Sequence, residues 1–242
     1  MKQVVIVVPI YKPTLCDLER AGFQHNAEIL KNYDMVAVYP EGMDVSFYKR
    51  LAPSIRFQSF PLKYFNGVRG YNRLMIAPFF YQAFSEYTYM LVCQYDAWVF
   101  KDELVTWCEM GYDYVAAPFL QPFPLGRTSK RLPWLANLCL NKIGNGGLCL
   151  RKIDTYISAA KRLRPFSVFY FYNEDVFWSL FPPLVLRRYH RPGVAKALRF
   201  SGRIFYEGGV LDDNGELPFG CHGWFRPNEI ELWKQYIEAG TA

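Results

Sequence analysis

The run Val4-Val5-Ile6-Val7-Val8, closed by Pro9, constrains the fold of this chain more than any other feature. Five β-branched residues in succession leave a strand no polar face to give to water, so it belongs inside a parallel sheet covered on both sides. Pro9 lacks the N–H that a sheet ladder needs and ends the run. Thr14-Leu15-Cys16-Asp17 then resembles a helix-opening capping box with Asp in place of Glu. Leu15, Leu18, Gly22 and Ile29 keep helical spacing behind it. Met35–Tyr39 reads as a second strand, stopped at Pro40-Glu41-Gly42, and Ile55–Phe60 as a third. Strand–helix–strand at this spacing opens a doubly wound α/β sheet of nucleotide-binding type.

The remainder continues the alternation. Residues 70–85 read as a helix disturbed by Pro78. Tyr89–Val92 is a strand running into Gln94-Tyr95-Asp96, and Tyr112–Ala117 is another. Residues 121–142 form a proline-punctuated, basic and apolar insert, suited to a lid or acceptor loop. Leu148–Leu150 is a short strand after a glycine cluster, followed by a helix over 153–164. Asn173 reads as an N-cap with Glu174 and Asp175 in the first turn. Pro182-Pro183 ends that helix. Residues 204–225 read as irregular, and 228–238 as an amphipathic helix through Ile230, Trp233 and Ile237.

At 242 residues with 51% hydrophobic content, the chain can bury a sizeable core and is not disordered. An aromatic share of 18% suits sugar recognition, although much of it must be core. The six cysteines contain no C-x-x-C pair and read as reduced thiols rather than a disulfide framework. The three residues ahead of Val4–Val8 are too few for a signal peptide, and no segment approaches a membrane span, which predicts a cytoplasmic or membrane-peripheral protein. The net charge of +6 gathers in 187–203, where Arg187, Arg188, Arg191, Lys196, Arg199 and Arg203 stand without an acid. Most such runs are solvated surface; the other reading is contact with anionic headgroups or a phosphorylated glycan.

Five groups of residues could carry chemistry. Asp96 follows an apolar strand, where open α/β sheets bind ligands, and can hold a hard divalent cation; its position serves a turn cap equally well. Glu174 and Asp175 open a helix whose dipole favours ionised carboxylates, as a general base requires and as ordinary capping also produces. Gly144-Asn145-Gly146-Gly147 permits close backbone approach but is neither a dinucleotide fingerprint nor a P-loop, and fits a plain turn. His222 sits between glycines and can be presented to a metal. It lacks the second pair that a structural zinc site with Cys221 would need. Arg69, Asn72 and Arg73 lie just upstream of the Asp96 strand and suit phosphate binding or a surface helix face.

In order, these features resemble the GT-A superfamily of glycosyltransferases, a Rossmann-like three-layer α/β fold on a central, mostly parallel sheet. More narrowly, the chain is similar to a bacterial family catalogued as a domain of unknown function and grouped with those enzymes. The segments that carry the resemblance are Tyr71-Asn72-Arg73-Leu74, Gln94-Tyr95-Asp96-Ala97-Trp98-Val99-Phe100, Asn145-Gly146-Gly147-Leu148, Asn173-Glu174-Asp175-Val176-Phe177-Trp178, Ala197-Leu198-Arg199-Phe200-Ser201 and Pro218-Phe219-Gly220-Cys221-His222-Gly223-Trp224.

The resemblance implies one domain over 1–242, with 1–100 as the nucleotide-binding half and 101–242 as the acceptor-binding half. Pro9, Ile10 and Tyr11 would lie against the donor base, with Arg69, Asn72, Arg73 and Tyr95 in the donor site. Gln94-Tyr95-Asp96 would stand where the superfamily has D-x-D. Asp96 and His222 would hold Mn²⁺ or Mg²⁺, and Gln94, in place of the first acid, brings an oxygen but no charge. Gly146 and Gly147 would let sugar approach the backbone. Glu174-Asp175-Val176 is similar to a segment of inverting galactosyl- and N-acetylglucosaminyltransferases, which implies Asp175 as base and Glu174 as a partner for a substrate hydroxyl. The implied reaction moves a hexose from a nucleotide-diphosphate sugar, a UDP-sugar by preference, to a glycan or lipid-linked glycan in surface polysaccharide synthesis. The implied location is cytoplasmic, with 187–203 as a peripheral contact to the inner membrane face and no nucleic-acid partner. A retaining transferase, a nucleotidyltransferase on the same sheet and a non-catalytic glycan-binding protein are the alternative readings.

Overall fold

The computed structural model describes residues 2–122, 137–170, 172–202, 214–227 and 229–240. Its centre is a six-stranded sheet built from β1 (Lys2–Pro9), β2 (Asp34–Pro40), β3 (Arg56–Phe60), β4 (Tyr87–Cys93), β6 (Tyr114–Ala116) and β7 (Leu148–Lys152). The order is β3-β2-β1-β4-β7-β6, and β7 alone runs against its neighbours. β1 lies between β2 and β4, as its unbroken apolar run requires. Alternate residues feed two cores. Val4, Ile6 and Val8 pack with Phe23, Leu30, Tyr48 and Trp107 on one side. Val5 and Val7 pack with Leu74, Phe80, Tyr156 and Trp178 on the other. The helices therefore cover both faces. One layer takes α1 (Asp17–Ile29), α2 (Ser46–Leu51) and α5 (Leu104–Glu109). The other takes α3 (Gly67–Met75), α4 (Pro78–Gln82), α6 (Ile153–Ser167) and α7 (Glu174–Leu180).

A second sheet, in the order β5-β9-β8, joins β5 (Ala97–Val99), β9 (Gly220–His222) and β8 (Ser201–Gly202). β9 is strand where the sequence reads as irregular: three residues are too few to show a period. Three more helices, α8 (Pro182–Val185), α9 (Val194–Phe200) and α10 (Ile230–Gly240), and two 3₁₀ turns, Leu62–Tyr64 and Asn137–Cys139, complete the described elements. Trp98, Cys221, Trp224 and Trp233 form a small core beneath this sheet. Asn26 of α1 fastens β5: its Nδ2 donates to the Ala97 carbonyl at 2.8 Å and its Oδ1 accepts from the Val99 N–H at 2.9 Å. A buried amide thus supplies what a neighbouring strand would.

Other boundaries shift for local reasons. Pro78 does not disturb one helix but begins its own, at a first-turn position where its missing N–H costs nothing. The cap of α1 is Cys16 rather than Thr14, and the Cys16 N–H donates to Glu19 at 3.0 Å. The six cysteines are unpaired, and all but Cys16 are buried. Most of the insert at 121–142 lies outside the described residues, as do 203–213. Among the described residues, no helix is long and apolar enough to cross a membrane.

Candidate active site

Five chain segments, distant in sequence, meet at the carboxyl ends of β1 and β4 around a cavity of about 550 Å³. β1 ends at Pro9 and delivers Tyr11. β4 delivers Gln94, Tyr95 and Asp96. The turn before β7 delivers Asn145, Gly146 and Gly147. The start of α7 delivers Asn173, Glu174 and Asp175, and β9 adds His222, with Arg226 just beyond. This is the strand-end crevice where open α/β sheets take ligands.

Asp96 and His222 are brought together by register. Ala97 pairs with His222 across β5 and β9, which sets the imidazole beside the residue before Ala97. His222 Nε2 lies 3.1 Å from Asp96 Oδ1 and 3.1 Å from Gln94 Oε1. The Asp96 carbonyl accepts the Gly223 N–H at 2.7 Å, fixing the loop from behind. Burial pushes the Asp96 carboxyl up, but His222 and then Arg226, whose Nη2 is 3.8 Å from Oδ2, outweigh it and hold the group below its ordinary value. Gln94 is itself held, since its Nε2 donates to the Tyr71 hydroxyl at 3.0 Å and its backbone N–H to the Gly147 carbonyl at 2.9 Å.

These donors fit part of a metal site. Adjacent ligands of an octahedral ion at 2.0–2.1 Å stand about 3 Å apart, close to the separations that His222 makes with Asp96 and Gln94. A carboxylate, an imidazole and a neutral amide oxygen leave the remaining positions to a ligand such as a diphosphate. Among the described residues no group of three His, Cys, Asp or Glu side chains converges. Metal-bound imidazoles usually donate their second nitrogen to an oxygen. His222 Nδ1 is buried without such a partner among the described residues. Packing orients the ring instead: the backbone of Gly147 lies flat against it, where any Cβ would enter the imidazole.

Beneath the cavity sits a buried ion pair. Arg151 of β7 is fully buried, and its Nη2 donates to both Glu174 oxygens, at 3.0 and 2.9 Å. Its Nη1 donates to the Tyr81 hydroxyl at 2.7 Å, and Tyr114 and Tyr156 flank the guanidinium. Burial pushes the Glu174 carboxyl up to about 7, against the pull of Arg151 and with help from Asp175. Gly146 has no side chain because a Cβ there would collide with Glu174. Asn145 enters this turn with φ of 90°, uncommon outside glycine but best tolerated by Asn and Asp. Asp175 is half-buried and lines the cavity, with Oδ1 accepting the Val176 N–H at 2.8 Å.

Most of the residues singled out in the sequence lie on this cavity: Pro9, Tyr11, Asn72, Gln94, Tyr95, Asp96, Gly146, Gly147, Glu174, Asp175 and His222. Three do not. Ile10 is wholly buried in the core, while Arg69 and Arg73 are exposed on α3 outside the lining. α3 turns Tyr71 and Asn72 to the cavity and leaves Arg69 and Arg73 in solvent. Asn72 also has a local task, accepting the Glu174 N–H at 3.3 Å. Glu174, expected to meet a substrate hydroxyl, spends both oxygens on Arg151. Sequence reasoning missed Arg151, Tyr71 and Arg226. The signal for Arg151 was a cation closing the apolar strand Leu148–Leu150.

Residues 54–222 match the model of the family described as "Protein of unknown function (DUF5672)". No curated protein matches the chain in sequence. Among solved structures, the chain is similar to the galactosyltransferase LgtC in complex with donor and acceptor sugar analogues. That likeness has 12% identity and a TM-score of 0.57, and covers 98% of this chain and 95% of that one. It is similar to core-mannan synthase A from Aspergillus fumigatus in its Mn/GDP form, at 10% identity and TM-score 0.52, covering 79% and 73%. It is also similar to the mannosyltransferase Ktr4p from S. cerevisiae, at 14% identity and TM-score 0.52, covering 74% and 65%. At such identities the likeness establishes the fold, an α/β architecture of GT-A type.

Proposed function

The chain belongs to the DUF5672 family, and we propose that it is a glycosyltransferase that moves a hexose from a nucleotide-diphosphate sugar to a glycan or lipid-linked glycan. The observation that carries this reading is the convergence of Asp96, His222, the Gly146-Gly147 turn and Asp175 on one cavity. A donor of this class needs a flat apolar bed for its base, a cationic or metal-bearing seat for its diphosphate, and a base facing the sugar. Pro9, Tyr11 and Tyr95 supply the first. The Tyr11 and Tyr95 rings stand 5.7 Å apart and their hydroxyls bond to each other.

Asp96, His222 and Arg226 supply the second. Asp96 and His222, with Gln94 Oε1, would hold Mn²⁺ or Mg²⁺, which when bound supplies positive charge against a departing diphosphate. Arg226 offers a fixed cation at the same seat. Asp175 supplies the third. It takes the proton from an acceptor hydroxyl as that oxygen bonds to the anomeric carbon. The bond from that carbon to the diphosphate oxygen breaks, the nucleoside diphosphate leaves with the electron pair, and the anomeric centre inverts. Glu174, fixed by Arg151, sets the position of the α7 start rather than reacting. The donor half, 1–100, and the acceptor half, 101–242, meet at this cavity.

Free nucleotide release from a panel of nucleotide sugars, with and without Mn²⁺, tests the reading, because a transferase hydrolyses its donor slowly without acceptor. Silence across the whole panel would sink it. Asp175→Asn is expected to abolish turnover while calorimetry still records donor binding, since the group acts mainly in the transition state. Near-normal turnover in that variant removes Asp175 from the base role.

A further inference from the structure

The far end of α6 carries a surface that the cavity does not use. This helix buries Ile153, Tyr156, Ala159, Ala160 and Leu163 against the sheet and turns Lys161, Arg162 and Arg164 outward. Past them the chain exposes Phe166 by 64%, Val168 by 63% and Phe169 by 76%. Leu184 on α8 is 75% exposed. Arg162 ties the two together, its Nη1 donating to the Val185 carbonyl at 3.0 Å, and Phe166 stands one helical turn beyond Arg162. Single exposed apolar residues are ordinary, but four neighbouring ones at this exposure are not.

Charge says what covers them. Between Asp154 and Glu207 the sequence has two acids, Glu174 and Asp175, and both line the cavity. Lys161, Arg162 and Arg164 on α6, with Arg187 and Arg188 just after α8, flank the apolar residues along the chain, and residues 155–206 set no other acid beside them. A protein partner's core rarely matches a rim of one sign, whereas an anionic bilayer offers hydrocarbon beneath a negative surface. The expectation of a basic contact at 187–203 is thereby relocated. Within that stretch Arg191 donates to the Ser179 carbonyl at 2.7 Å and Lys196 sits over the Trp107 ring at 5.5 Å, so both are engaged within the fold.

We propose that the end of α6, residues 166–169 and α8 form a docking surface for an anionic membrane, with Phe166, Val168, Phe169 and Leu184 entering the headgroup boundary. The surface runs through Tyr172 into Asn173 at the cavity mouth. It would present the cavity to acceptors held in the bilayer, a consequence that rests on the transferase reading although the docking does not.

Sedimentation of the full chain with vesicles tests it, using phosphatidylcholine alone and phosphatidylcholine mixed with phosphatidylglycerol. The chain is expected to pellet with the mixed vesicles, to stay in solution with the neutral ones, and to be released by salt. Phe166→Ser/Phe169→Ser should weaken binding about tenfold or more, and Lys161→Glu/Arg164→Glu should do likewise. Wild-type chain left in the supernatant with mixed vesicles overturns the proposal. So does a Phe166→Ser/Phe169→Ser variant that melts and pellets like wild type. A wild-type dimer that these serines dissociate, with no vesicle binding, assigns the face to a second copy and also overturns it. Nucleotide release by the wild-type chain separates the two readings. No vesicle binding with intact release refutes the surface alone, and vesicle binding with no release refutes the transferase alone.

Discussion

Gly147→Ala asks directly whether backbone packing holds the His222–Asp96 pair. Non-bonded carbon and ring atoms rest at about 3.5 Å, and a Cβ at 147 would meet Nε2, Cδ2 and Cε1 of His222 well inside that distance. The ring must withdraw by roughly 1 Å or more to restore contact. Its Nε2 is now 3.1 Å from Asp96 Oδ1, so the withdrawal breaks that bond and the one to Gln94. Losing a hydrogen bond to a charged group costs about 1.5–3 kcal/mol, and overpacking a tight site about 1–3 kcal/mol. A total of about 3–5 kcal/mol corresponds to a fall in Tm of roughly 6–20 °C for a domain of this size. Thermal unfolding by circular dichroism reads it. The control is Gly193→Ala, whose Cβ meets nothing within 4 Å. The decisive measurement is a double-mutant cycle with His222→Ala, which removes the ring and should leave the added methyl nearly free of cost. Equal cost in both backgrounds, or a Gly147→Ala variant melting within about 2 °C of wild type, refutes the reasoning.

Arg151→Met strips a buried carboxylate of its guanidinium and should destabilise the fold by about 3–5 kcal/mol at pH 8, with Arg151→Met/Glu174→Met recovering much of the loss. Urea midpoints check both, and a double variant no better than the single one would mean the pair is not the cause. Burial raises the Glu174 carboxyl to about 7 in the fold against an ordinary 4.5, so the folded state keeps a proton that the unfolded chain releases. Its contribution to stability is therefore complete below about 4.5 and lost as pH rises through 7. The midpoint difference between wild type and Glu174→Gln should accordingly shift against wild type from pH 5 to pH 8, and a flat difference contradicts it.

The parts of the fold that were legible in sequence are those whose neighbours are fixed by composition. Val4–Val8 can satisfy its residues in one place, between two parallel strands, so the sheet follows from it. The strand-end Asp96 and the helix-start Asp175 were legible for the same reason, since element ends are marked by where apolar periodicity stops. What escaped was long-range pairing. Nothing near Arg151 says that its partner lies at Glu174, and nothing in Cys16 advertises a cap. The cap forms because Glu19 is held by Lys12 at 2.6 Å and can reach back to the Cys16 N–H. Arg69 and Arg73 misled because charge suggests phosphate, while helix geometry decides which residues of α3 turn inward.

The second sheet is a positioning device more than a core. Its strands are three, three and two residues long and bury little apolar surface by themselves. What it fixes is register. With Ala97 opposite His222 and Val99 opposite Gly220, the imidazole is directed to the cavity while Cys221 faces the tryptophan cluster. A slip of one residue would exchange those faces, burying the imidazole among Trp98, Trp224 and Trp233 and turning a thiol towards Asp96. Two features oppose that slip. Asn26 pins both ends of β5 through its amide, and Gly220 leaves no room for a side chain, since a Cβ there would stand 2.7 Å from the Trp98 carbonyl. Any other residue at 220 must push β9 away from β5. The placement of His222 beside Asp96 is therefore set by a buried amide on α1 and a glycine two residues upstream, neither of which touches the cavity.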